Sequence, residues 1–271
     1  MTTDPVPPLA ARRLDGPGDP PVLLLHGFTG SAGAWGSVIP EALSRHRTVL
    51  AVDLPGHGDS PPPSGPEGYR WERVLEAVLA ALDAHGAESA DWVGYSMGAR
   101  LALAAAVEHA GRVRRLVLES GSPGLETAAS RERRRRSDAA LARRIESRGM
   151  EWFVDHWMGL SLFATQRRLP AEVQAAERKR RLANTPEVLG HTLRGMGTGS
   201  QPSYWACLGE VRAPTLLLTG ALDRKYEAMA RQMEEALPRA RRRSVPGAGH
   251  AVHLEAPGRW LEAVQPFLLE R

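Results

Sequence analysis

The sequence predicts an open, doubly wound α/β fold with a mostly parallel sheet and one inserted helical segment. Three observations predict this fold. Short apolar runs bounded by turn residues recur along the chain, which is typical of parallel strands buried on both faces. Stretches with helical spacing of apolar residues lie between these runs. The alternation stops only between about residues 122 and 206, where we expect the insertion.

The predicted elements follow in chain order. The apolar runs begin with VLLLH and TVLAVD and end with the more polar RRSVPG. They predict strands at residues 22–26, 48–53, 91–95, 115–120, 215–220 and 242–247. Apolar residues three and four apart predict helices at about residues 32–45, 69–85, 97–108, 226–237 and 256–269.

The segment 122–206 contains no convincing strand. It carries much of the arginine and mixes aromatic residues with charges at helical spacing, which predicts several short helices. We call it the cap. The expected organisation is therefore a core made of residues 1–121 and 207–271, with the cap, residues 122–206, inserted between two core strands.

Composition narrows the function classes. The net charge is +4 with 31 acidic residues, and no nucleic-acid-binding motif occurs, so we expect no nucleic-acid partner. No apolar run is long enough to cross a membrane, and the first residues lack the pattern of a secretory signal, so we expect a cytoplasmic protein without membrane insertion. The single cysteine, Cys207, is expected to be buried and structural. No metal or cofactor is implied, and the oligomeric state is not predicted.

The stretch GYSMGAR contains a Gly-x-Ser-x-Gly pattern centred on Ser96. It follows a predicted strand and precedes an Ala-rich predicted helix, which is the setting of a nucleophilic serine in a sharp strand-to-helix turn. Alone, the pattern also fits a glycine-rich turn with an incidental serine.

Three further features accompany Ser96. The loop HGFTG follows the first predicted strand and places the Phe28 amide where, with the Met97 amide, it could hold an oxyanion. Asp223 follows the strand TLLLTG, and His250 lies in the Gly-flanked loop PGAGHAVH. Such a histidine accepts a proton from a serine when a carboxylate holds its tautomer. The sequence thus predicts a Ser96, Asp223 and His250 triad.

Other polar residues compete for these roles. His253 is three residues beyond His250 and is expected at the entry of the last helices. Asp53 and His57, in DLPGHGDS, are expected to shape the pocket floor as structural residues. His250 and His253 have no carboxylate or thiolate at metal-ligand spacing, so no metal site is predicted.

Several motifs together resemble those of the 2-succinyl-6-hydroxy-2,4-cyclohexadiene-1-carboxylate synthase family, within the α/β-hydrolase superfamily. The resemblance covers nearly the whole chain and is carried by HGFTGSAGAW, DLPGHGDS, GYSMGARLAL, LESGSPGL, the Arg-rich run that opens the cap, FVDHW and AGHAVHLEAP. It implies the α/β-hydrolase fold and a lyase that eliminates pyruvate from 2-succinyl-5-enolpyruvyl-6-hydroxy-3-cyclohexene-1-carboxylate in menaquinone biosynthesis. Ser96, activated by His250 and Asp223, would then serve as the base.

The resemblance also implies a pocket for a small polycarboxylate. Arg100 is expected one helical turn beyond Ser96. Arg134 and Arg181 would be the cap contributions, with Tyr95 and Trp157 as further pocket residues. Each of these residues also has a purely structural interpretation. Arg100 would pair with an acidic residue, Arg134 and Arg181 would face water among neighbouring basic residues, and Trp157 would pack in the core.

Two other functions stay open from the residues alone. A serine carboxylesterase or carbon-carbon bond hydrolase would use the same triad to form an acyl-enzyme on Ser96. A binding protein on the same scaffold would not need all three triad residues.

Overall fold

A computed structural model describes residues 6–270 and confirms the predicted α/β architecture. Its centre is a sheet of seven strands, β1 (Ala11–Leu14), β2 (Val22–Leu25), β3 (Val49–Val52), β4 (Ala90–Tyr95), β5 (Val113–Glu119), β6 (Thr215–Gly220) and β7 (Ala240–Val245). Their order across the sheet is β1-β3-β2-β4-β5-β6-β7. Strands β2 to β7 pair in parallel, so their carboxyl ends share one edge.

The antiparallel strand β1 is absent from the sequence prediction. It pairs with β3, with Ala11 opposite Val52 and Leu14 opposite Val49. Its sequence is ARRL, and the two arginines are exposed, so no apolar run marks it. The strand forms one edge of the sheet, and it is short and charged, as edge strands commonly are.

Nine helices flank or cap the sheet in the described part of the chain. They are α1 (Val38–Ser44), α2 (Trp71–Ala84), α3 (Met97–Glu108), α4 (Ala128–Met158), α5 (Ala171–Leu182), α6 (Pro186–Met196), α7 (Arg224–Ala236), α8 (Val252–Glu255) and α9 (Pro257–Leu269), with short 3-10 helices between them. The helix expected at residues 32–45 is divided. A 3-10 turn over Ala32–Trp35 ends at Gly36, whose φ of 65° ends the helical path before α1.

Two apolar clusters hold the helices on the sheet. One face packs against α2, α3 and α7 through residues such as Trp71, Trp92 and Leu101. The other packs against α1 and α9 through residues such as Ile39 and Trp260. Burying each large apolar side chain contributes about 1.5–3 kcal/mol, so these two layers fix the position of the strand ends that carry the site.

The described residues between β5 and β6 form helices and no strand, as predicted, but the first of these helices, α4, is long and not short as expected. Helix α4 is interrupted at Gly149, where a φ of 80° breaks the helical backbone. Thr127 and Thr185 cap α4 and α6 by accepting bonds from the amides of Ser130 and Val188. Phe153 and Leu189 belong to a third apolar cluster formed by α4 and α6.

The division into core and cap at residues 122 and 206 stays a prediction, and residues 1–5 and 271 of the predicted core lie outside the described residues. Cys207 is half-buried and carries a free thiol, so the expectation of a buried cysteine was wrong. No helix in the described part of the chain is long and apolar enough to span a bilayer.

Candidate active site

Ser96 lies in a sharp turn between β4 and α3. Its φ of 52° and ψ of −103° are strained for a residue with a side chain. The flanking glycines make this turn possible. A Cβ on Gly94 would come within 2.3 Å of the Gly98 carbonyl oxygen, and one on Gly98 within 2.2 Å of the Leu25 carbonyl oxygen. The Gly-x-Ser-x-Gly spacing is therefore required by close backbone packing around the serine.

His250 connects Ser96 to Asp223. Its Nε2 lies 3.1 Å from Ser96 Oγ, and its Nδ1 lies 2.7 Å from Asp223 Oδ2. Because a carboxylate only accepts, Nδ1 carries the proton and Nε2 is free to accept from the serine hydroxyl. Asp223 is held in turn as the N-cap of α7, where Oδ1 accepts from the Tyr226 amide. The structure thus brings the three predicted residues into one hydrogen-bonded chain.

The loop after β2 lies against the serine. A Cβ on Gly27 would be 2.7 Å from the Tyr95 ring and 3.5 Å from Ser96 Cβ. His26 fixes this loop: its Nε2 accepts from the Leu54 amide at 3.0 Å, so its Nδ1 donates to the Gly27 carbonyl at 2.8 Å. Burial lowers the pKa of His26 to about 4, which keeps the imidazole neutral.

Phe28 and Met97 line the same pocket as Ser96. Neither backbone amide donates a hydrogen bond to another group within residues 6–270. Free amides next to a serine hydroxyl, one of them at the N-terminus of α3, are suited to hold a negative oxygen. Their assignment as an oxyanion hole stays a prediction.

One pocket above the carboxyl edge of the sheet gathers the predicted site residues. Asp223 lies behind His250, outside the lining. The predicted residues that line the pocket are Phe28, Tyr95, Ser96, Met97, Arg100, Arg134, Trp157, Arg181 and His250. Core and cap residues therefore enclose the same space.

Arg100 is buried and forms no ion pair within the described chain. It donates from Nη1 to Gln201 Oε1 and from Nη2 to the Met196 carbonyl, both at 3.0 Å. Its guanidinium also lies 5.6 Å from the Trp71 ring centroid. Burial, with Arg134 nearby, lowers the pKa of Arg100 to about 10, so the side chain stays charged at neutral pH. The alternative interpretation, in which Arg100 pairs with an acidic residue, is therefore wrong for the described chain.

Arg134 is the member of the 131–136 run that lines the pocket. Its Nε donates to Asp138 Oδ1 at 2.7 Å, and its side chain is 41% exposed. Arg135 and Arg136 pair instead with Glu132 on the outside of α4. The rotation of α4 about its own axis determines which arginine faces the pocket, and the sequence does not predict this rotation.

Arg181 is a second buried guanidinium. Its Nη2 lies 3.3 Å from Gln166 Oε1 and 3.4 Å from Glu177 Oε2, while its Nε and Nη1 have no partner in the described part of the chain. Burial lowers its pKa. Unsatisfied buried donors cost stability, and here they belong to a side chain on the pocket wall.

Aromatic rings form the rest of this wall. The Trp157 ring centroid lies 5.3 Å from that of Phe28 and 5.7 Å from that of Phe163. Trp157 is half-buried, so it both lines the pocket and belongs to the apolar contacts beneath the cap. The two interpretations offered by the sequence are therefore compatible.

The competing residues have other partners. His253 Nδ1 lies 2.8 Å from Glu119 Oε1, outside the Ser96 chain. Asp53 accepts from the amides of Ala32 and Asp59, and His57 contacts the Pro55 carbonyl. These contacts shape loops, as expected for structural residues.

Sequence reasoning missed four polar residues around the site. They are Glu119, Ser120, Gln201 and Tyr226, whose ring centroid is 4.6 Å from that of His250. Glu119 and Ser120 belong to the motif LESGSPGL, but the motif alone indicates no role for either residue. Gln201 is an isolated polar residue in no motif, so no signal marked it.

Comparisons with known proteins agree with this geometry. Residues 20–257 match the family model for the alpha/beta hydrolase fold. A Bacillus subtilis (strain 168) protein, to which 2-succinyl-6-hydroxy-2,4-cyclohexadiene-1-carboxylate synthase activity is attributed, is 38% identical over 91% of this chain and 89% of its own. The synthase of that name from Serratia proteamaculans (strain 568) is 32% identical over 94% of this chain and 95% of its own.

A solved structure gives the same relationship. MenH from S. aureus superposes with a TM-score of 0.89 and 31% identity, covering 95% of this chain and 97% of that one. A coverage of 95% of this chain includes the core and most of the segment between β5 and β6. The chain belongs to the 2-succinyl-6-hydroxy-2,4-cyclohexadiene-1-carboxylate synthase family of the α/β-hydrolase superfamily.

Proposed function

We propose that this protein is a carbon-oxygen lyase of menaquinone biosynthesis. It eliminates pyruvate from 2-succinyl-5-enolpyruvyl-6-hydroxy-3-cyclohexene-1-carboxylate and forms 2-succinyl-6-hydroxy-2,4-cyclohexadiene-1-carboxylate. One observation supports the proposal most strongly. The hydrogen-bonded Ser-His-Asp triad opens onto a pocket that is lined by two buried arginines, Arg100 and Arg181. Neither guanidinium has its hydrogen-bonding capacity filled by carboxylates within residues 6–270.

Ser96 is the proposed base for the first step. The proton next to the succinyl carbonyl leaves as Ser96, relieved of its own proton by His250, accepts it. Asp223 stabilises the positive charge that then develops on the His250 ring. The electron pair moves through the ring, and the bond from the ring carbon to the enolpyruvyl oxygen breaks. The leaving group takes the bonding pair as the enolate of pyruvate and becomes pyruvate by accepting a proton, which balances the one passed to His250.

The amides of Phe28 and Met97 are the proposed oxyanion hole. Proton loss next to a carbonyl places negative charge on its oxygen, and fixed N–H donors stabilise this charge without reorganising. The neutral His26 and the positive φ of Thr29, 69°, belong to the loop that presents the Phe28 amide. Rigidity of this loop would keep the donor in place during the reaction.

The arginines are the proposed recognition elements. The substrate carries three carboxylates, and a guanidinium binds a carboxylate with two parallel hydrogen bonds. Arg100, Arg134 and Arg181 supply fixed positive charge around Ser96, with Tyr95 and Trp157 as further contacts. The proposed partner is thus a small polycarboxylate, and the proposed compartment is the cytoplasm.

The test is to give the purified protein the enolpyruvyl substrate and to follow pyruvate with a coupled dehydrogenase. Wild type should release pyruvate, Ser96→Ala should lose roughly a hundredfold or more of kcat, and Ser147→Ala, an exposed serine on α4, should behave as wild type. An ester hydrolase would instead cleave p-nitrophenyl acetate rapidly with an acyl-enzyme burst. Brisk ester cleavage without pyruvate release would refute the lyase proposal.

A further inference from the structure

The carboxyl end of β5 contacts two members of the triad. The Glu119 carbonyl accepts from the Ser96 amide at 2.8 Å. The next residue, Ser120, donates from its hydroxyl to the His250 carbonyl, also at 2.8 Å. Ser96 and His250 are 154 residues apart in sequence, yet consecutive residues of one buried segment hold both.

Ser120 adopts an unusual backbone conformation to do this. Its φ is 50°, and only Thr29 and Ser96 share a positive φ among the non-glycine residues of the described chain. The left-handed region costs about 1–2 kcal/mol for a residue with a Cβ. Ser120 is nevertheless 1% exposed and is held there by its amide, which donates to the Leu218 carbonyl at 3.0 Å. A glycine would relieve the strain but would lose the hydroxyl.

The side chain of Glu119 fixes the residues that follow His250. Its Oε1 accepts from the amide and the Nδ1 of His253, at 3.1 and 2.8 Å. Its Oε2 accepts from Trp260 Nε1 at 2.8 Å. The Glu119 side chain has no solvent exposure, and these three hydrogen bonds compensate the cost of burying its carboxyl group. The loop after His250 is therefore tied to β5 as well.

We propose that Ser120 is a positioning residue that sets the separation between the His250 imidazole and Ser96. The proposal rests on the proposed function only in treating these two residues as the reacting pair. Ser120 does not line the pocket, so it acts through the His250 backbone and not on the substrate. His250 directly follows Gly249 and is three residues after Gly247, and a loop with two glycines needs external hydrogen bonds to hold its backbone.

Ser120→Ala removes the hydroxyl and keeps the Cβ, so the backbone conformation costs about the same as before. The matched control is Thr215→Val. Thr215 Oγ1 also donates to a backbone carbonyl, that of Ala213 at 3.0 Å, but at the amino end of β6, on the opposite edge of the sheet. Both variants lose one hydroxyl-to-carbonyl bond at a buried residue, and only one of them loses it at the triad.

Two readouts apply to each variant. Pyruvate release should show kcat of Ser120→Ala reduced roughly tenfold with KM within about twofold, because small misplacements of catalytic groups cost rate. Nitrogen-15 histidine NMR should show the His250 Nδ1 proton, which bonds Asp223, broadened by faster exchange in Ser120→Ala. Thr215→Val should match wild type in kcat and in this resonance.

Equal kcat values and an unchanged His250 resonance in Ser120→Ala would overturn the positioning role. If the wild type releases no pyruvate, the proposed function fails, and the NMR comparison then decides the inference alone. Loss of the sharp resonance in Ser120→Ala would support it, and an unchanged resonance would refute it.

Discussion

Arg100 donates a hydrogen bond to the side-chain oxygen of Gln201, 101 residues further along the chain, at 3.0 Å. The amide nitrogen of Gln201 donates in turn to the Ser122 carbonyl at 3.2 Å. Gln201 has no solvent exposure. It therefore orients the guanidinium with a neutral oxygen, which leaves the positive charge of Arg100 available to an anion in the pocket.

We predict that Gln201→Glu weakens substrate binding. The variant has nearly the same shape but places a carboxylate against Arg100, and this internal anion competes with a substrate carboxylate. KM for pyruvate release should rise about tenfold, while circular dichroism shows an intact fold. Gln201→Met, which removes the oxygen without adding charge, is the control and should raise KM less. Equal KM values for Gln201→Glu and wild type would contradict a substrate-binding role for Arg100.

We predict that replacing Arg100 lowers activity even when the new residue is lysine. Arg100→Lys keeps the charge but cannot donate to Gln201 and Met196 while also presenting a fork to a carboxylate. We expect kcat/KM to fall about 10- to 100-fold in Arg100→Lys and further in Arg100→Ala, as for the loss of charged hydrogen bonds of about 1.5–3 kcal/mol. Steady-state kinetics measure this, and unchanged kinetics in Arg100→Ala would remove the residue from the site.

The Arg-rich run of α4 offers a matched pair of variants. Arg134 lines the pocket, whereas Arg136 is 80% exposed and pairs with Glu132. Arg134→Ala should lower kcat/KM about tenfold or more, because a charge facing the substrate is lost. Arg136→Ala should leave kinetics and melting temperature nearly unchanged, since exposed ion pairs contribute little. Equal losses in the two variants would show that the overall charge of the cap matters and not the position of Arg134.

Arg181 should show opposite effects on stability and activity. Two of its nitrogens are buried without partners in the described chain, and Glu177 keeps Arg180 as an ion-pair partner when Arg181 is replaced. Arg181→Met fills a similar volume without unsatisfied donors. The free energy of unfolding should rise by about 1–2 kcal/mol, while kcat/KM falls. Urea unfolding and steady-state assays measure the two; a less stable variant would show that Arg181 is satisfied in the absence of substrate.

Two buried histidines should make stability fall in mild acid. Burial lowers the pKa of His26 from 6.5 to about 4 and that of His57 to about 3, and their rings lie 5.2 Å apart. Because both folded pKa values are below the unfolded value, the unfolded state binds more protons as the pH falls below 6.5. Stability is fully present above pH 6.5 and is lost toward pH 4.

Asp53 lies in the same loop region as His57. Burial raises its pKa, so its protonation in the folded protein favours folding as the pH falls, opposite to the effect of the histidines. Each of the two imidazoles should cost about 2 kcal/mol between pH 7 and 5, and the shift of Asp53 offsets part of that loss. Urea unfolding at the two pH values measures the difference. A flat profile would show that the two rings become solvated or protonated at little cost in the folded protein.

The parallel strands were predictable because both of their faces are buried. Every residue of Val22–Leu25 and of Thr215–Gly220 is buried, so the apolar run stands out against its neighbours. The edge strands behave differently. Ala11–Leu14 carries two exposed arginines and was missed, while Ala240–Val245 was predicted two residues late because its arginines conceal the pattern.

The site residues also divide into those that local sequence predicts and those that it does not. Ser96, Asp223 and His250 are each marked by a turn that only certain residues can form, so local sequence identifies them. Which arginine of 131–136 faces inward depends on the rotation of α4 against α6, which no local signal sets. Gln201 and Ser120 act through partners more than 100 residues away, and such contacts exist only once the chain has folded.

The two ends of the cap meet where they leave the sheet. Besides the bond between Gln201 and Ser122, the Tyr204 amide donates to the Pro123 carbonyl at 2.8 Å and Trp205 Nε1 donates to the Gly124 carbonyl at 3.0 Å. The segment departs from β5 and returns to the neighbouring β6 through this closed neck. Because both ends meet at one place, exchanging the segment beyond the neck would replace Arg134 and Arg181 but keep the triad and Arg100, so a chimaera would separate what each part contributes to substrate choice.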